Sequence, residues 1–226
     1  MIGNWTKSSS FVAILAMAGS TQAYISGAIV THQPFLYGKF RTRIQGPGEK
    51  GTVTSIFTYW IGDNYRVPLS EWEEIDIELV PSVEANPFFT NLIYQNKQMD
   101  GEYLPNFDPG NNWHDYEIVW TPEYVSWSVD GVEVRRRTGT YSVTDLNKEA
   151  HLHMNFWTPE FDYWGRGRND STMPWYARYD YVEAWDYNVD TQQFSLRFRD
   201  DFDFLDESIW RATYGGFESN SSTFDP

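Results

Sequence analysis

Glu74-Ile75-Asp76-Ile77-Glu78-Leu79 alternates acidic and aliphatic side chains without a break. Side chains alternate between the two faces of a β-strand, so the three carboxylates share one face and the aliphatic residues share the other. The aliphatic face predicts burial in a core. Three acidic side chains in a row on the other face are structurally unfavourable, because Asp and Glu are poor strand formers and like charges repel. The alternative is an edge strand with a charged outer face, although an edge would more naturally carry Lys.

Similar short runs on both sides of this stretch predict further strands. They are rich in Val, Ile, Thr and aromatic residues, and Asp130-Gly131 is a strong hairpin signal between two of them. No segment shows a long apolar stripe with helical period. The sequence therefore predicts a single all-β domain over residues 1–226, a sandwich or barrel. The predicted strands cover residues 38–44, 52–59, 74–80, 88–94, 116–120, 124–129, 151–156 and 176–185.

The composition excludes several classes of function. The chain has 226 residues, with 17 Lys and Arg against 32 Asp and Glu, and the net charge of −15 argues against nucleic acid or an anionic membrane as a partner. Cys is absent, so disulfides and thiolate metal sites are excluded. The chain has 11 Trp, 15 Tyr and 15 Phe, more aromatic residues than a core needs. This excess predicts a cleft that stacks on flat apolar faces such as sugar rings.

Carboxylates that share one strand face suggest glycoside hydrolysis. That reaction needs one carboxylate as a nucleophile and one carboxylic acid as a proton donor. The Cα atoms of Glu74 and Glu78 are roughly 13 Å apart on a strand, and side chains that lean together can approach the roughly 5–5.5 Å of a retaining pair. Asp76 between them would raise the pKa of the acid and orient the nucleophile. The spacing does not say which Glu has which role.

Five stretches together resemble glycoside hydrolase family 16, the lichenase and laminarinase-type β-glucan hydrolases. They are Trp72–Glu78, Tyr37–Phe40, Trp127–Gly131, Met154–Trp157 and Tyr179–Val182. The resemblance implies a β-jelly-roll sandwich of two antiparallel sheets with a concave substrate cleft, and a retaining mechanism. It assigns Glu74 as the nucleophile, Asp76 as its assistant and Glu78 as the acid/base. One residue separates Asp76 from Glu78, as in lichenases and xyloglucan transglycosylases.

Further residues are candidates for contact with the sugar. Asn91 and Asn155 match family positions, and aromatic residues near the carboxylate strand could stack on pyranose rings. The predicted substrate-binding residues are Tyr59, Trp72, Asn91, His153, Asn155, Trp157 and Trp164. Core packing is the alternative for each Trp, and a metal pair is the alternative for His151 and His153. The run Arg135-Arg136-Arg137 predicts a solvated edge.

The resemblance also bears on cofactors. No cofactor is required for the chemistry, but relatives commonly carry a structural Ca²⁺ on the convex face. Asp180 matches the ligand position in the closing strand, so it is a candidate Ca²⁺ ligand.

The order of the motifs looks rotated. Residues 195–226 resemble the opening strand of the family, which predicts a circular permutation; sandwich termini often lie close together. Residues 1–23 then have two interpretations. The apolar run at 11–19 is either a buried core strand or part of a secretory signal peptide.

The sequence thus predicts a retaining endo-β-glucanase that hydrolyses 1,3-1,4-β-glucan and is an extracellular, secreted monomer. One alternative is a transglycosylase, or a hydrolase of another β-glycan such as xyloglucan, laminarin or a marine galactan. The other is a non-catalytic carbohydrate-binding jelly roll, which does not need all three carboxylates.

Overall fold

The computed structural model describes residues 12–18, 24–60, 71–83, 87–94, 98–104, 112–139, 143–214 and 222–224. The rest of the segments 1–23 and 195–226 discussed above lies outside the described residues. The strands are β1 (Val12–Ala18), β2 (Tyr24–Thr31), β3 (Gly38–Gln45), β4 (Val53–Tyr59), β5 (Glu74–Leu79), β6 (Phe88–Tyr94), β7 (Gln98–Met99), β8 (Glu102–Leu104), β9 (His114–Trp120), β10 (Tyr124–Val129), β11 (Val132–Thr138), β12 (His151–Trp157), β13 (Trp175–Asn188), β14 (Gln193–Asp200), β15 (Trp210–Ala212) and β16 (Ser222–Phe224). One short helix, α1 (Asp162–Gly165), lies between β12 and β13. No helix in the described ranges is long and apolar enough to cross a membrane.

The strands form two antiparallel sheets, which confirms the predicted all-β jelly-roll sandwich. The back sheet has the order β11-β10-β9-β3-β13. The cleft sheet has the order β2-β12-β4-β5-β6, with the short β7 and β8 both paired to β6. Strand β5 is therefore interior, with β4 on one side and β6 on the other. The edge-strand interpretation of the carboxylates is wrong.

Strand β1 connects the two sheets. Its first part pairs with β13, from Val12 opposite Tyr179 to Ala16 opposite Trp175, and its end pairs with β2. Whether this segment is also cleaved as a leader stays a prediction.

The C-terminal segment completes the edges of both sheets. Strand β14 forms a hairpin with β13, and β15 pairs with β2 of the cleft sheet. Between them Phe202 is buried, and Trp210 is buried while its indole Nε1 donates to Asp200 Oδ2 at 2.8 Å. Strand β16 pairs with β2 in parallel.

The core lies between the sheets and contains the aliphatic face of β5. Ile75, Ile77 and Leu79 are each at most 1% exposed, as their alternation predicts. Burial of one such side chain contributes roughly 1.5–3 kcal/mol relative to leaving it in water. Trp120 and Trp127 are buried on the back-sheet side of the same core.

The β10–β11 hairpin turns at Asp130 and Gly131, as predicted. Both residues have positive φ, at 50° and 77°, which suits the right-handed twist of the strands. The expectation of a solvated edge for 135–137 is wrong for Arg135, which is buried, whereas Arg136 lies at the surface. Arg135 lies opposite Trp127 and Glu133 lies opposite Ser128, so Val134 is an extra residue on β11 that interrupts the simple alternation.

Candidate active site

The three carboxylates lie on one face of β5, as predicted, and the neighbouring strands fix their surroundings. Residues opposite each other in antiparallel strands point to the same face. Glu74 lies opposite Tyr59, Asp76 lies opposite Asn91, and Glu78 lies opposite Ser55. The cleft face of the sheet is thus built from successive rows across β4, β5 and β6.

Strand β12 extends these rows on the far side of β4. His151 lies opposite Tyr59, His153 opposite Phe57, and Asn155 opposite Ser55. The predicted site residues Tyr59, Asn91, His153 and Asn155 therefore share one face with the three carboxylates. The sequence could place each of them on a strand face, but only the register of the sheet brings them together.

Hydrogen bonds link Glu74 to Asp76 and tie this pair to two predicted residues. The indole Nε1 of Trp72 donates to Glu74 Oε2. The side chains of Glu74 and Asp76 hydrogen-bond each other, and Asn91 hydrogen-bonds Asp76 from β6. Trp72 also packs edge-on against Tyr59, with ring centres 6.1 Å apart.

Burial is the largest influence on the pKa of each of the three carboxylates. It raises the pKa of Glu74 to about 7, although the hydrogen bonds from Asp76 and Trp72 oppose this rise. Burial and the charge of Glu74 raise the pKa of Glu78 to about 8. Burial and the charges of both glutamates hold the pKa of Asp76 well above its usual range. A raised pKa favours the protonated form of Asp76, which can donate a hydrogen bond to an ionised Glu74.

Several buried polar atoms on the cleft face have no hydrogen-bond partner among the described residues. They are Ser55 Oγ, Asp76 Oδ1, Asn91 Oδ1, His153 Nε2 and Asn155 Oδ1. Buried polar atoms are normally satisfied by protein, water or a ligand. In two adjacent rows, they offer hydrogen-bonding groups that a hydroxyl-rich molecule could satisfy.

His153 is a neutral ring in the middle of this surface. It stacks on Phe57 with ring centres 4.8 Å apart. Burial, with smaller contributions from His151 and Arg211, lowers the pKa of His153 to about 3. His151 instead approaches the Thr31 carbonyl through Nδ1 at 2.8 Å. No group of three or more His, Asp or Glu side chains that could hold a metal occurs in the described part of the chain.

An aromatic cluster forms the end of the cleft next to Glu78. Trp164 Nε1 donates to the Tyr103 hydroxyl at 2.6 Å, and Phe89 packs against both rings. Trp157 is 5% exposed and packs with Val53, Val80 and Val83, so its ring is mainly a core contact. Sequence reasoning missed Phe89 and Tyr103. The signal for Phe89 was its position opposite Glu78, which required the register of β5 and β6.

Comparisons with known proteins identify the family of this chain. The family model described as glycosyl hydrolases family 16 matches residues 4–177. The chain belongs to glycosyl hydrolase family 16. The jelly-roll fold and the carboxylate strand of this family 16 chain agree with that membership.

The relatives of this chain have different activities. A β-glucanase of Fibrobacter succinogenes is 30% identical over 225 residues, which cover 95% of this chain and 64% of the relative. A probable xyloglucan endotransglucosylase/hydrolase of Arabidopsis thaliana is 28% identical over 134 residues, 56% of this chain and 44% of the relative. The solved structure of a prokaryotic β-1,3-1,4-glucanase (lichenase) from a mouse hindgut metagenome has a TM-score of 0.65 and 26% identity, covering 78% of this chain and 79% of the other. The family 16 chain thus spans less than two thirds of the length of these two curated relatives.

The calcium prediction for this family 16 chain concerns the back sheet. Asp180 lies on β13 and forms an ion pair with Arg43, with Nη1 and Oδ2 3.4 Å apart. A carboxylate paired with arginine, and without an acidic cluster around it in the described residues, does not fit a Ca²⁺ site made by side chains. Calcium binding by Asp180 stays a prediction from the family resemblance alone.

Proposed function

We propose that this protein is a retaining endo-β-glucanase that hydrolyses 1,3-1,4-β-glucan. The observation that carries the proposal is the row of Glu74, Asp76 and Glu78 on one face of β5, with Glu74 and Asp76 hydrogen-bonded to each other and unpartnered polar atoms around the row. Two carboxylates in different protonation states are what a retaining glycosidase uses.

The proposed reaction has two steps. Ionised Glu74 attacks the anomeric carbon while protonated Glu78 gives its proton to the leaving glycosidic oxygen, so one C–O bond forms as another breaks. Glu78, now ionised, then removes a proton from a water molecule that attacks the same carbon and releases Glu74. Asp76 donates its hydrogen bond to Glu74 and disperses the charge of the nucleophile.

Support for the substrate comes from two sources. The single residue between Asp76 and Glu78 is the spacing found in lichenases, and a lichenase is among the solved structures that this chain resembles. A transglycosylase that acts on xyloglucan is the second candidate, favoured by the plant relative described above. A retaining mechanism serves both, since either water or a sugar hydroxyl can release the glycosyl-enzyme.

Chemical rescue tests the two carboxylate roles separately. Glu74→Ala and Glu78→Ala should both abolish hydrolysis, while Glu133→Gln, an exposed control paired with Arg136, should not. With an activated aryl β-glycoside, azide should restore Glu74→Ala and give the α-glycosyl azide, because azide replaces the missing nucleophile. Azide should also restore activity to Glu78→Ala, but here the product should be the β-glycosyl azide. Exchanged products would reverse the assignment, and hydrolysis of barley β-glucan by either variant would overturn it.

A substrate panel tests the specificity. Barley β-glucan, laminarin, xyloglucan and agarose are each incubated with the protein and with Glu74→Gln as the blank. Reducing sugar from barley β-glucan alone supports a lichenase. Transfer products from xyloglucan oligosaccharides support the transglycosylase. Binding without release of sugar from any of them supports the carbohydrate-binding jelly roll.

We further propose that the protein is a secreted monomer with a rotated strand order. A polymeric β-glucan is too large to enter a cell, so an enzyme that uses it acts outside. Support for the rotation comes from the family model, which ends at residue 177 and leaves the C-terminal segment unmatched.

A further inference from the structure

Arg135 is a charged side chain buried behind the carboxylate strand. The residue is 5% exposed. Transfer of a guanidinium out of water is unfavourable unless ion pairs and hydrogen bonds replace its hydration, and buried ion pairs often add little net stability. Stability alone therefore does not explain why Arg135 is buried. Each of its contacts is with a residue that holds a part of the cleft.

The first contact leads to the middle of β5. The guanidinium lies 4.5 Å from the ring centre of Trp127, and the indole Nε1 of Trp127 donates to the main-chain oxygen of Asp76 at 2.9 Å. Trp127 is fully buried, so few rotamers can maintain this bond. Arg135 packs on the ring and restricts it further. The backbone of the central carboxylate is thus held from the core side.

The second contact leads to Asn91. Arg135 Nη1 donates to the carbonyl oxygen of Thr90 at 3.0 Å and to its hydroxyl oxygen at 2.8 Å. Thr90 immediately precedes Asn91, whose side chain hydrogen-bonds Asp76 on the other face of the sheet. A fixed Thr90 therefore fixes the donor that approaches Asp76.

The third contact leads to Tyr103. Arg135 Nη2 donates to the carbonyl oxygen of Asp100 at 2.6 Å and to its Oδ1 at 2.9 Å, and Nε lies 3.2 Å from Glu102 Oε2. These residues hold the β7–β8 segment that brings Tyr103 to the cleft. The charge of Glu78 is one of the influences on the Tyr103 hydroxyl, which places the two groups near each other.

We propose that Arg135 is a positioning residue for the carboxylate strand, acting through Trp127, Thr90 and the β7–β8 segment. The proposal rests on the glycosidase function proposed above. It explains why a buried arginine occupies a place where an apolar side chain could fill the core.

Arg135→Met removes the charge and the forked contacts but keeps much of the volume. We expect kcat on barley β-glucan to fall about ten- to a hundred-fold while KM changes little, because small misplacement of reacting groups lowers the rate of chemistry more than binding. Arg135→Lys keeps the charge without the fork, so it should recover only part of this loss. Trp127→Phe, which removes the donor to Asp76 together with part of the ring on which Arg135 packs, should also lower kcat.

The pH profile separates positioning from simple loss of stability. The titratable groups around Asp76 are Glu74 and Glu78 on its own strand, Tyr59 on β4, His153 on β12 and Tyr103 on β8. A less constrained Asn91 stabilises the negative charge of the Glu74–Asp76 pair less well. The acid limb of kcat/KM should therefore move to higher pH in Arg135→Met.

Two controls make the result interpretable. Arg136→Met alters the adjacent exposed arginine, which pairs with Glu133, and should keep both pH limbs. Val182→Ala shortens a fully buried core residue on β13 and lowers the melting temperature without touching this network. Each variant is assayed well below its own melting temperature. The proposal would be overturned if Arg135→Met had the same pH profile as Val182→Ala and the same kcat as the wild-type protein.

A wild-type protein without hydrolytic activity would overturn the proposed function instead. Positioning is then read from hydrogen exchange of the main-chain amides of β5. Exchange that is faster in Arg135→Met than in a Val182→Ala variant of equal global stability supports the positioning role. Equal exchange in the two variants contradicts it.

Discussion

Glu74 and Glu78 are the same side chain on the same strand, and burial raises the pKa of both. The pKa of Glu74 is about 7 and that of Glu78 is about 8, and the proposed mechanism needs the first ionised and the second protonated. We expect a bell-shaped pH profile of kcat/KM with a maximum between about 7 and 8. It is measured with a soluble substrate across pH 5 to 10. A flat profile from pH 5 to 7 would contradict the raised pKa of the nucleophile.

A second residue-scale prediction concerns stability. The folded pKa of Glu78, about 8, exceeds its ordinary value of 4.5, so the folded state holds this proton more tightly than the unfolded chain. Its contribution is full below pH 4.5 and is lost as the pH rises through 8. Glu78→Gln should therefore melt near the wild-type temperature at pH 4.5 and several degrees above it at pH 9, since about 1 kcal/mol corresponds to roughly 2–4 °C here. Equal differences at both pH values, by calorimetry, would contradict this.

At the scale of elements, one tyrosine ties the back sheet to the cleft sheet. The hydroxyl of Tyr179 on β13 lies 2.9 Å from the carbonyl oxygen of Ser55 and 3.0 Å from that of Asn155, in the row of Glu78. Tyr179→Phe should lower the free energy of unfolding by about 1–2 kcal/mol, because two buried acceptors lose a donor. Urea unfolding measures the loss. Tyr176→Phe, on the exposed face of the same strand, is the control and should change little.

Strand β1 gives the second prediction at this scale. It covers edges of β13 and β2 that are otherwise unpaired there, and exposed strand edges promote aggregation. Deletion of residues 1–23 should therefore give insoluble protein, whereas deletion of residues 1–11 should give a soluble fold. Solubility and circular dichroism decide between them. A folded 24–226 fragment, with a mature exported protein that starts near residue 24, would favour the signal-peptide interpretation.

Elements were more predictable from the sequence than the contacts between them. The alternation in Glu74–Leu79 gave both the strand and its two faces, because that pattern depends only on the period of a β-strand. Arg135 was misjudged because the sequence of β11 could not reveal that Val134 is an extra, unpaired residue that shifts the register there. Tyr103 was missed because β8 has only three residues and its pairing with β6 is decided by tertiary contacts, not by local pattern.

At the scale of the whole molecule, chain order and spatial order separate. The motifs that place the carboxylates, from β3 to β13, follow one another, while β14, β15 and β16 return to pair with β13 and β2. The C-terminal segment is nevertheless integral, since Phe202 and Trp210 are buried in the core. The segment therefore contributes to the fold through its pairing with β13 and β2 and through these two buried rings.

The proposed rotation of the chain predicts that the order can be rotated back. In a rearranged chain, Pro226 is joined to Met1 and the exposed turn between β13 and β14 is opened between Gln192 and Gln193. No strand pairing is lost. The entropic cost of closing the new loop grows only logarithmically with the length of that loop. We expect the rearranged protein to melt within a few degrees of the parent and to keep its kcat/KM. Deletion of residues 193–226, the control, should prevent folding because it removes two buried aromatic side chains. A rearranged chain that fails to fold would contradict the view that this segment is a transposed first strand.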